Sequence, residues 1–301
     1  MKVVKRFTLV CFYSVFCMGF FINLANAAEE NTGVLSHPKI SVQLWSVRKD
    51  VEADFKGTLT RLANMGFDAV EFAGNFGPYE NDAKGLRKFL DELGLEVSGA
   101  HVKFGLLKNS NAHELMQFLS DIGTPIAIIP GDGRSANPEK LAEFTAELAL
   151  YAKKLAEYGI KIGYHNHAYE FEDYKVLDGK MATFWEYVTA NTPKNVVMQM
   201  DIGWVNYAGK DPNAIIKRYP NRTLTSHIKI RTKGNTGIDT IIGDDNFDWV
   251  ALISDMRKHG GTEWLVVEQE EYPKGYTSLT AVEASKIGLE KALKKSLNKH
   301  P

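Results

Sequence analysis

Two histidines separated by one residue, His165 and His167, close an apolar run within GIKIGYHNHAYEFE, residues 159–172. An extended chain turns successive side chains to opposite faces, so the two imidazoles point one way and Asn166 the other. Such a pair can bind a metal, move a proton or rest hydrogen-bonded in a core. Three other apolar runs end in the same manner: NVVMQM leads into Asp201, TLTS into His227 and WLVV into Glu268. Two carboxylates with one or two imidazoles offer nitrogen and oxygen donors to a single divalent ion, with Mn, Zn, Co, Fe and Mg all compatible.

The elements that must position these residues alternate along the chain. Strand-like runs are read at residues 40–45, 69–72, 96–101, 125–129, 161–164, 196–200, 224–228 and 264–267, with helix-like runs at 55–65, 84–93, 112–122, 138–158 and 248–259 between them. Helices are expected to stop at Gly66, Gly94, Gly159 and Gly260, where a left-handed cap suits glycine, and to start at Asn137-Pro138 and Asp211-Pro212. Repeated βα units of this kind imply a parallel sheet, and eight of them predict a (β/α)8 TIM barrel, with a doubly wound open sheet as the alternative.

In a barrel the chemistry gathers at the C-terminal ends of the strands. Those ends supply Gln43, Trp45 and Arg48, then Glu71, then His101 and Lys103, then His165, Asn166, His167 and Glu170, then Asp201 and Trp204, then His227 and Lys229, and finally Glu268 and Glu270. The fourth unit offers only Pro130, Gly131 and Asp132, from which nothing is drawn. His37, His113, His259 and His300 fall elsewhere and read as solvated. Trp45, Phe72 and Trp204 have aromatic faces that can stack on a sugar ring. Lys103 and Lys229 are candidates for stabilising oxyanion charge, and Glu71 and His101 for supporting or contacting a substrate.

Residues 1–27 read as a signal peptide. Lys2, Lys5 and Arg6 precede an apolar run from Phe7 to Leu24, and Ala25-Asn26-Ala27 is a small-residue cleavage signal. Export to the periplasm or medium is therefore expected, and an uncleaved membrane anchor is the less favoured reading. Cys11 and Cys17 would leave with the leader, so disulfides, thiolate ligands and a cysteine nucleophile are excluded from the remainder. Removing the leader takes 36 basic residues to 33 against 37 acidic, a net charge of −4, which is no nucleic-acid surface. Residues 28–301 contain no low-complexity linker and read as one domain.

These segments resemble the sugar phosphate isomerase/epimerase superfamily, the xylose isomerase-like TIM barrels that include inosose dehydratases, ketose 3-epimerases and endonuclease IV. The resemblance is carried by SVQLWSVR at 41–48, GFDAVEFAG at 66–74, YHNHAYEF at 164–171, MDIGWVNYAGKDP at 200–212, SHIKI at 226–230 and VVEQE at 266–270. Relatives hold their ion with Glu, Asp, His and Glu from the fifth to eighth strands. The last three positions fall on Asp201, His227 and Glu268, whereas the first falls on His165, a departure that leaves His165, His167 or Glu170 as the fourth ligand. Relatives also read HLKD where this chain has HIKI, and GxGxxDW where it has Gly243 followed by DDNFDW.

The resemblance implies one divalent metal ion, a sugar substrate and proton removal beside a carbonyl to give an enediolate. Glu268, His165 and Lys229 are then the catalytic candidates, and Trp45, Glu71, His101, Lys103, His167, Glu170 and Trp204 the substrate-binding ones. Reprotonation gives isomerisation or epimerisation, the main expectation. Loss of a β-substituent, as from a 3-keto-glycoside, gives a lyase or dehydratase. Replacement of the fifth-strand carboxylate by His165 weakens a two-carboxylate epimerisation, and it also admits a carbohydrate-binding barrel without catalysis. Endonuclease chemistry is opposed by Trp204 and Pro130 at positions where its extra ligands would stand. Export and the lack of a phosphate cradle favour an unphosphorylated sugar or keto-sugar. A homo-oligomer lending a loop to its neighbour's mouth is compatible with this fold.

Overall fold

The structure is a computed structural model that describes residues 37–175, 181–231 and 240–299. The expected leader, residues 1–27, and His300 lie outside the described residues. Among the described residues no helix is long and apolar enough to cross a membrane.

Eight strands form the barrel: β1 (Lys39–Gln43), β2 (Ala69–Phe72), β3 (Glu96–His101), β4 (Ile126–Ile129), β5 (Lys161–His165), β6 (Val197–Asp201), β7 (Thr225–Ile228) and β8 (Trp264–Val267). All pair in parallel in sequence order, and β8 closes on β1 through Lys39↔Trp264 to Val42↔Val267. The open-sheet alternative is thereby excluded. Their residues are almost all buried because helices cover the outer face and side chains fill the inside. The low interior is apolar: Ala69, Trp264 and Val266 form one cluster, and Ile126, Ile128 and Val197 another, with Leu224 packed against it.

Ten helices are described: α1 (Arg48–Ala53), α2 (Phe55–Asn64), α3 (Ala83–Leu93), α4 (Ala112–Asp121), α5 (Leu141–Ala156), α6 (Phe184–Asn191), α7 (Ile202–Tyr207), α8 (Pro212–Arg218), α9 (Trp249–Asp255) and α10 (Ser278–Lys299). Side-chain caps fix several starts. Asp54 accepts from Gly57 N, Asp82 from Gly85 N, Asp248 from Ala251 N, and Thr183 forms a reciprocal capping box with Glu186. Each such cap contributes about 1 kcal/mol. After β5 a short antiparallel hairpin pairs Asp173–Lys175 with Met181–Thr183.

Two expected boundaries move. Asn137-Pro138 begins a turn, with the Asn137 side chain accepting from Glu139 N, and α5 starts only at Leu141. The left-handed residue before β8 is Gly261 rather than Gly260, because α9 widens into a π-turn over Met256–Gly260 that carries the chain one residue further.

The lower rim is tied by a buried cation. Arg222 donates to Val196 O (3.0 Å), Thr189 O (2.9 Å) and Thr192 Oγ1 (2.9 Å), joining the end of α6 to the starts of β6 and β7. Replacing Arg222 with Ala leaves those acceptors unsatisfied, and a loss of about 2–4 kcal/mol is expected. Urea unfolding of the variant checks this; a loss within error of zero contradicts it.

Candidate active site at the barrel mouth

A bulge in β3, with Ser98 as the extra residue, begins the site. Pairing with β2 steps from Val70↔Val97 to Glu71↔Gly99, which sets a glycine opposite Glu71. A Cβ at position 99 would stand 3.1 Å from Glu71 Oε2 and 2.9 Å from Ile128 Cδ1, so only glycine leaves that carboxylate its place. Glu71 is fully buried. Its oxygens accept from Gln43 Nε2 and Gln199 Nε2, both at 2.7 Å, and from His227 Nε2 at 2.6 Å, with His101 Nε2 at 3.3 Å.

This network fixes the imidazoles above it. Because Gln199 gives its Nε2–H to Glu71, its Oε1 must accept, and it lies 3.0 Å from both His165 Nδ1 and His101 Nε2. His165 therefore carries its proton on Nδ1 and presents a bare Nε2, 3.7 Å from Asp201 Oδ2. The three rings crowd together, with His165 and His227 centroids 4.6 Å apart and His101 and His227 stacked at 5.3 Å.

Asp201 ends β6 and caps α7, its Oδ1 accepting from Trp204 N at 2.9 Å. Asn166 clasps its backbone from β5, accepting from Asp201 N at 3.0 Å. Asp201 Oδ2 is left buried without a hydrogen bond. It faces Lys229 Nζ at 2.9 Å, and the same ammonium reaches Glu268 Oε2 and Glu270 Oε2, each at 2.7 Å. His227 Nδ1 stands 3.0 Å from Glu268 Oε2.

Electrostatics follow from burial and neighbours. Burial works to raise Glu71, but His227 and His101 bring its carboxyl down to about 2. Against its own burial, His227 is raised to about 10 by Glu268 and Glu71 on either side. Glu268 lies well below the usual carboxylate range despite burial, held there by Lys229 and His227. Burial pushes Asp201 up to about 6, with Lys229 opposing and Glu268 adding to the rise. His165 is driven well below an ordinary histidine, first by burial and then by His227 and His101, and so stays neutral.

One donor atom each from Asp201, His227 and Glu268 lie within 4.8 Å of one another. Two carboxylates and an imidazole suit a divalent cation of intermediate softness, and Asp201 Oδ2, which accepts no hydrogen bond and faces the Lys229 ammonium, is an oxygen such a cation would take. Glu71 behind His227 is the carboxylate that commonly orients a ligating histidine. The residues fit the metal.

Above them opens a cavity of about 610 Å³, lined by Trp45, His101, Lys103, His165, His167, Trp204, Lys229, Glu268 and Glu270. Trp45 is 45 % exposed at the rim with the Arg48 guanidinium 4.5 Å over its ring, and Arg231 lies 3.9 Å over Trp204. Past Gly74 and Leu106 the cavity adjoins a second hollow of about 690 Å³, which holds Glu80, Asn81, Asn111, Glu114 and Phe118. A separate hollow of about 400 Å³ between residues 241–250 and α10 contains none of the candidate residues.

Three expectations are corrected by this geometry. Glu71 lies beneath the cavity and not on its wall, so of its two expected roles it takes that of supporting the ring of His227 and not that of contacting a substrate. Glu170 turns away from the mouth: its oxygens accept from the Tyr164 hydroxyl and from His167 N (2.8 Å), behind β5. Phe72 points outward into the core against Phe76. Gln199 is the residue that sequence reasoning missed. Its period-two spacing from Val197 and Asp201 on one strand face was the available signal.

Two outcomes follow. Glu71→Gln keeps the shape but cannot accept from three donors, so divalent-ion affinity is expected to fall about 10–100-fold, read by competition with a chelating dye. Burial pushes Glu170 up to about 7 from its ordinary 4.5, with Tyr164 and the His167 N–H pulling the other way. Its protonated form is thus favoured by folding: that contribution is complete below about pH 4.5 and is lost as pH rises through about 7. Glu170→Gln is expected to flatten stability against pH across this window in urea titrations, and an unchanged slope counts against the assignment.

The xylose isomerase-like TIM barrel family matches residues 59–294. Among curated proteins, the chain is 24 % identical to an inosose dehydratase of Geobacillus kaustophilus, over 71 % of this chain and 80 % of that one. Among solved structures, it is similar to a sugar phosphate isomerase/epimerase of Parabacteroides distasonis (TM-score 0.68, 23 % identity, 89 % of this chain and 99 % of the other). It also resembles the IOLI protein with a binding zinc atom (TM-score 0.63, 15 % identity, 86 % and 99 %). Since the match runs from within α2 to within α10 and so takes in all the strands from β2 to β8, the chain belongs to the xylose isomerase-like TIM barrel family.

Proposed function

We propose that the protein is a divalent-metal-dependent enzyme that removes the proton beside the carbonyl of an unphosphorylated keto-sugar and completes a β-elimination, as a dehydratase or keto-glycoside lyase. The observation that carries this reading is the bare Nε2 of His165, a neutral base held in one tautomer beside the carboxylate cluster. Asp201, His227 and Glu268 would hold the ion, which supplies Lewis-acid charge that acidifies a C–H next to a carbonyl.

The chain's own groups account for the remaining steps. Glu268 is tied to Lys229 and His227 and kept ionised, which makes it a poor proton acceptor. His165 Nε2 accepts the substrate proton, and Gln199 shares the resulting positive charge through Nδ1–H. The same nitrogen then returns the proton to the departing oxygen. Lys229 sets positive charge where the oxyanion develops, and Trp45 and Trp204 flank the ring. The second hollow beyond Leu106 gives room for an aglycone.

Isomerisation or epimerisation is the second reading, supported by the naming of structural relatives as isomerase/epimerases. It needs the same first step but a different return of the proton. The leader motif in residues 1–27 supports export, and with it a substrate met outside the cytoplasm. The test is incubation of metal-loaded protein in D2O with ketoses and 3-keto-glycosides, followed by NMR. An unsaturated or hydrated keto-sugar with released aglycone is expected, abolished by chelation and by His165→Ala. A rearranged sugar, with or without deuterium beside its carbonyl, would transfer the assignment to the isomerase reading, and no conversion of any substrate would sink both.

A further inference from the structure

Lys229 makes a contact set that a substrate-binding lysine does not need. Its Nζ lies within 2.9 Å of Asp201, 2.7 Å of Glu268 and 2.7 Å of Glu270, from the ends of two different strands. Its side chain is only 4 % exposed, whereas Glu270 is 28 % exposed at the cavity edge. The two oxygens it touches deepest, Asp201 Oδ2 and Glu268 Oε2, belong to the carboxylates that would hold the metal. An ammonium and a divalent ion sharing those oxygens repel each other strongly in a buried setting.

We propose that Lys229 is a resident counter-ion of the metal-free protein, displaced by the incoming metal, and that Glu270 is the group to which its ammonium withdraws. The proposal rests on the metal site of the reading above. Its physical basis is that Asp201 and Glu268, both buried, repel each other unless a cation stands between them. Lys229 supplies that cation before the metal does, so the ligands are already gathered. The stem reaches the carboxylates by crossing close over Gly203, where a Cβ would lie 2.7 Å from Lys229 Cγ. Once withdrawn to Glu270, beside Arg231, the ammonium stands on the cavity side, where substrate oxygens arrive. Metal loading and substrate binding are then coupled through one side chain.

The test compares wild type with Lys229→Met, both stripped of metal, at fixed pH. Metal-free Lys229→Met is expected to melt lower than metal-free wild type and to bind Zn2+ or Mn2+ roughly tenfold more tightly or better, because the ammonium no longer has to leave. Equal or weaker metal affinity in the variant overturns the proposal. Binding by the variant alone would show that no metal displaces Lys229 in the wild type and would overturn the proposal together with the metal-enzyme reading, as would binding by neither. Should Lys229→Met fail to fold, a crystal structure of wild type soaked in Mn2+ decides: Nζ on Glu270 and away from Asp201 is expected, and Nζ still on all three carboxylates refutes it.

Discussion

Like charges cannot be buried together without cations between them, and the mouth of this barrel is arranged around that constraint. Glu71, Asp201 and Glu268 are all withdrawn from water within a few side chains of one another. Two positive groups keep them there: His227, donating to Glu71 on one side and Glu268 on the other, and Lys229, facing Asp201 and Glu268. Each carboxylate is held by at least one of these cations. The expense of burying such a set is large, and it is tolerable only because almost every donor and acceptor is paired. Asp201 Oδ2, the acceptor without a hydrogen bond, is where chemistry has its opening.

The arrangement also gives the departure at strand five a physical meaning. A carboxylate at position 165 would add another buried negative charge to a cluster already held by two cations. A neutral imidazole adds none, and its proton is pinned by Gln199, whose amide is itself pinned by Glu71. The tautomer of His165 is thus set two residues away.

The barrel was legible because its signal is repeated: eight apolar runs, glycine caps and polar strand ends all report the same topology. The convergence of Asp201, His227, Glu268 and His165 followed from topology alone. What sequence could not give was depth. Glu71 and Glu170 are both acidic residues at or just after strand ends, yet one lies under the site and the other behind β5. The difference comes from a bulge and from a hydroxyl on Tyr164, neither of which leaves a trace in hydrophobic pattern. Gln199 was hidden for a related reason: an amide within an apolar strand looks like noise until its partners from β2 and β5 are in place. The shift from Gly260 to Gly261 records a single wide helical turn, a detail below the grain of periodicity.

The apolar packing inside the lower barrel has a consequence for timing. Ala69, Trp264 and Val266 with Ile126, Ile128 and Val197 close the floor beneath the polar layer, so the site is a cul-de-sac. Among the described residues, water, ions and products come and go on the mouth side, past Trp45 and Trp204 and past Gly74 and Leu106. A proton lifted from a bound sugar therefore meets bulk solvent on the side that the sugar itself occupies. Internal return of that proton should outpace washout until product departs, and the isotopic memory of a turnover becomes a gauge of how tightly the ligand corks the barrel.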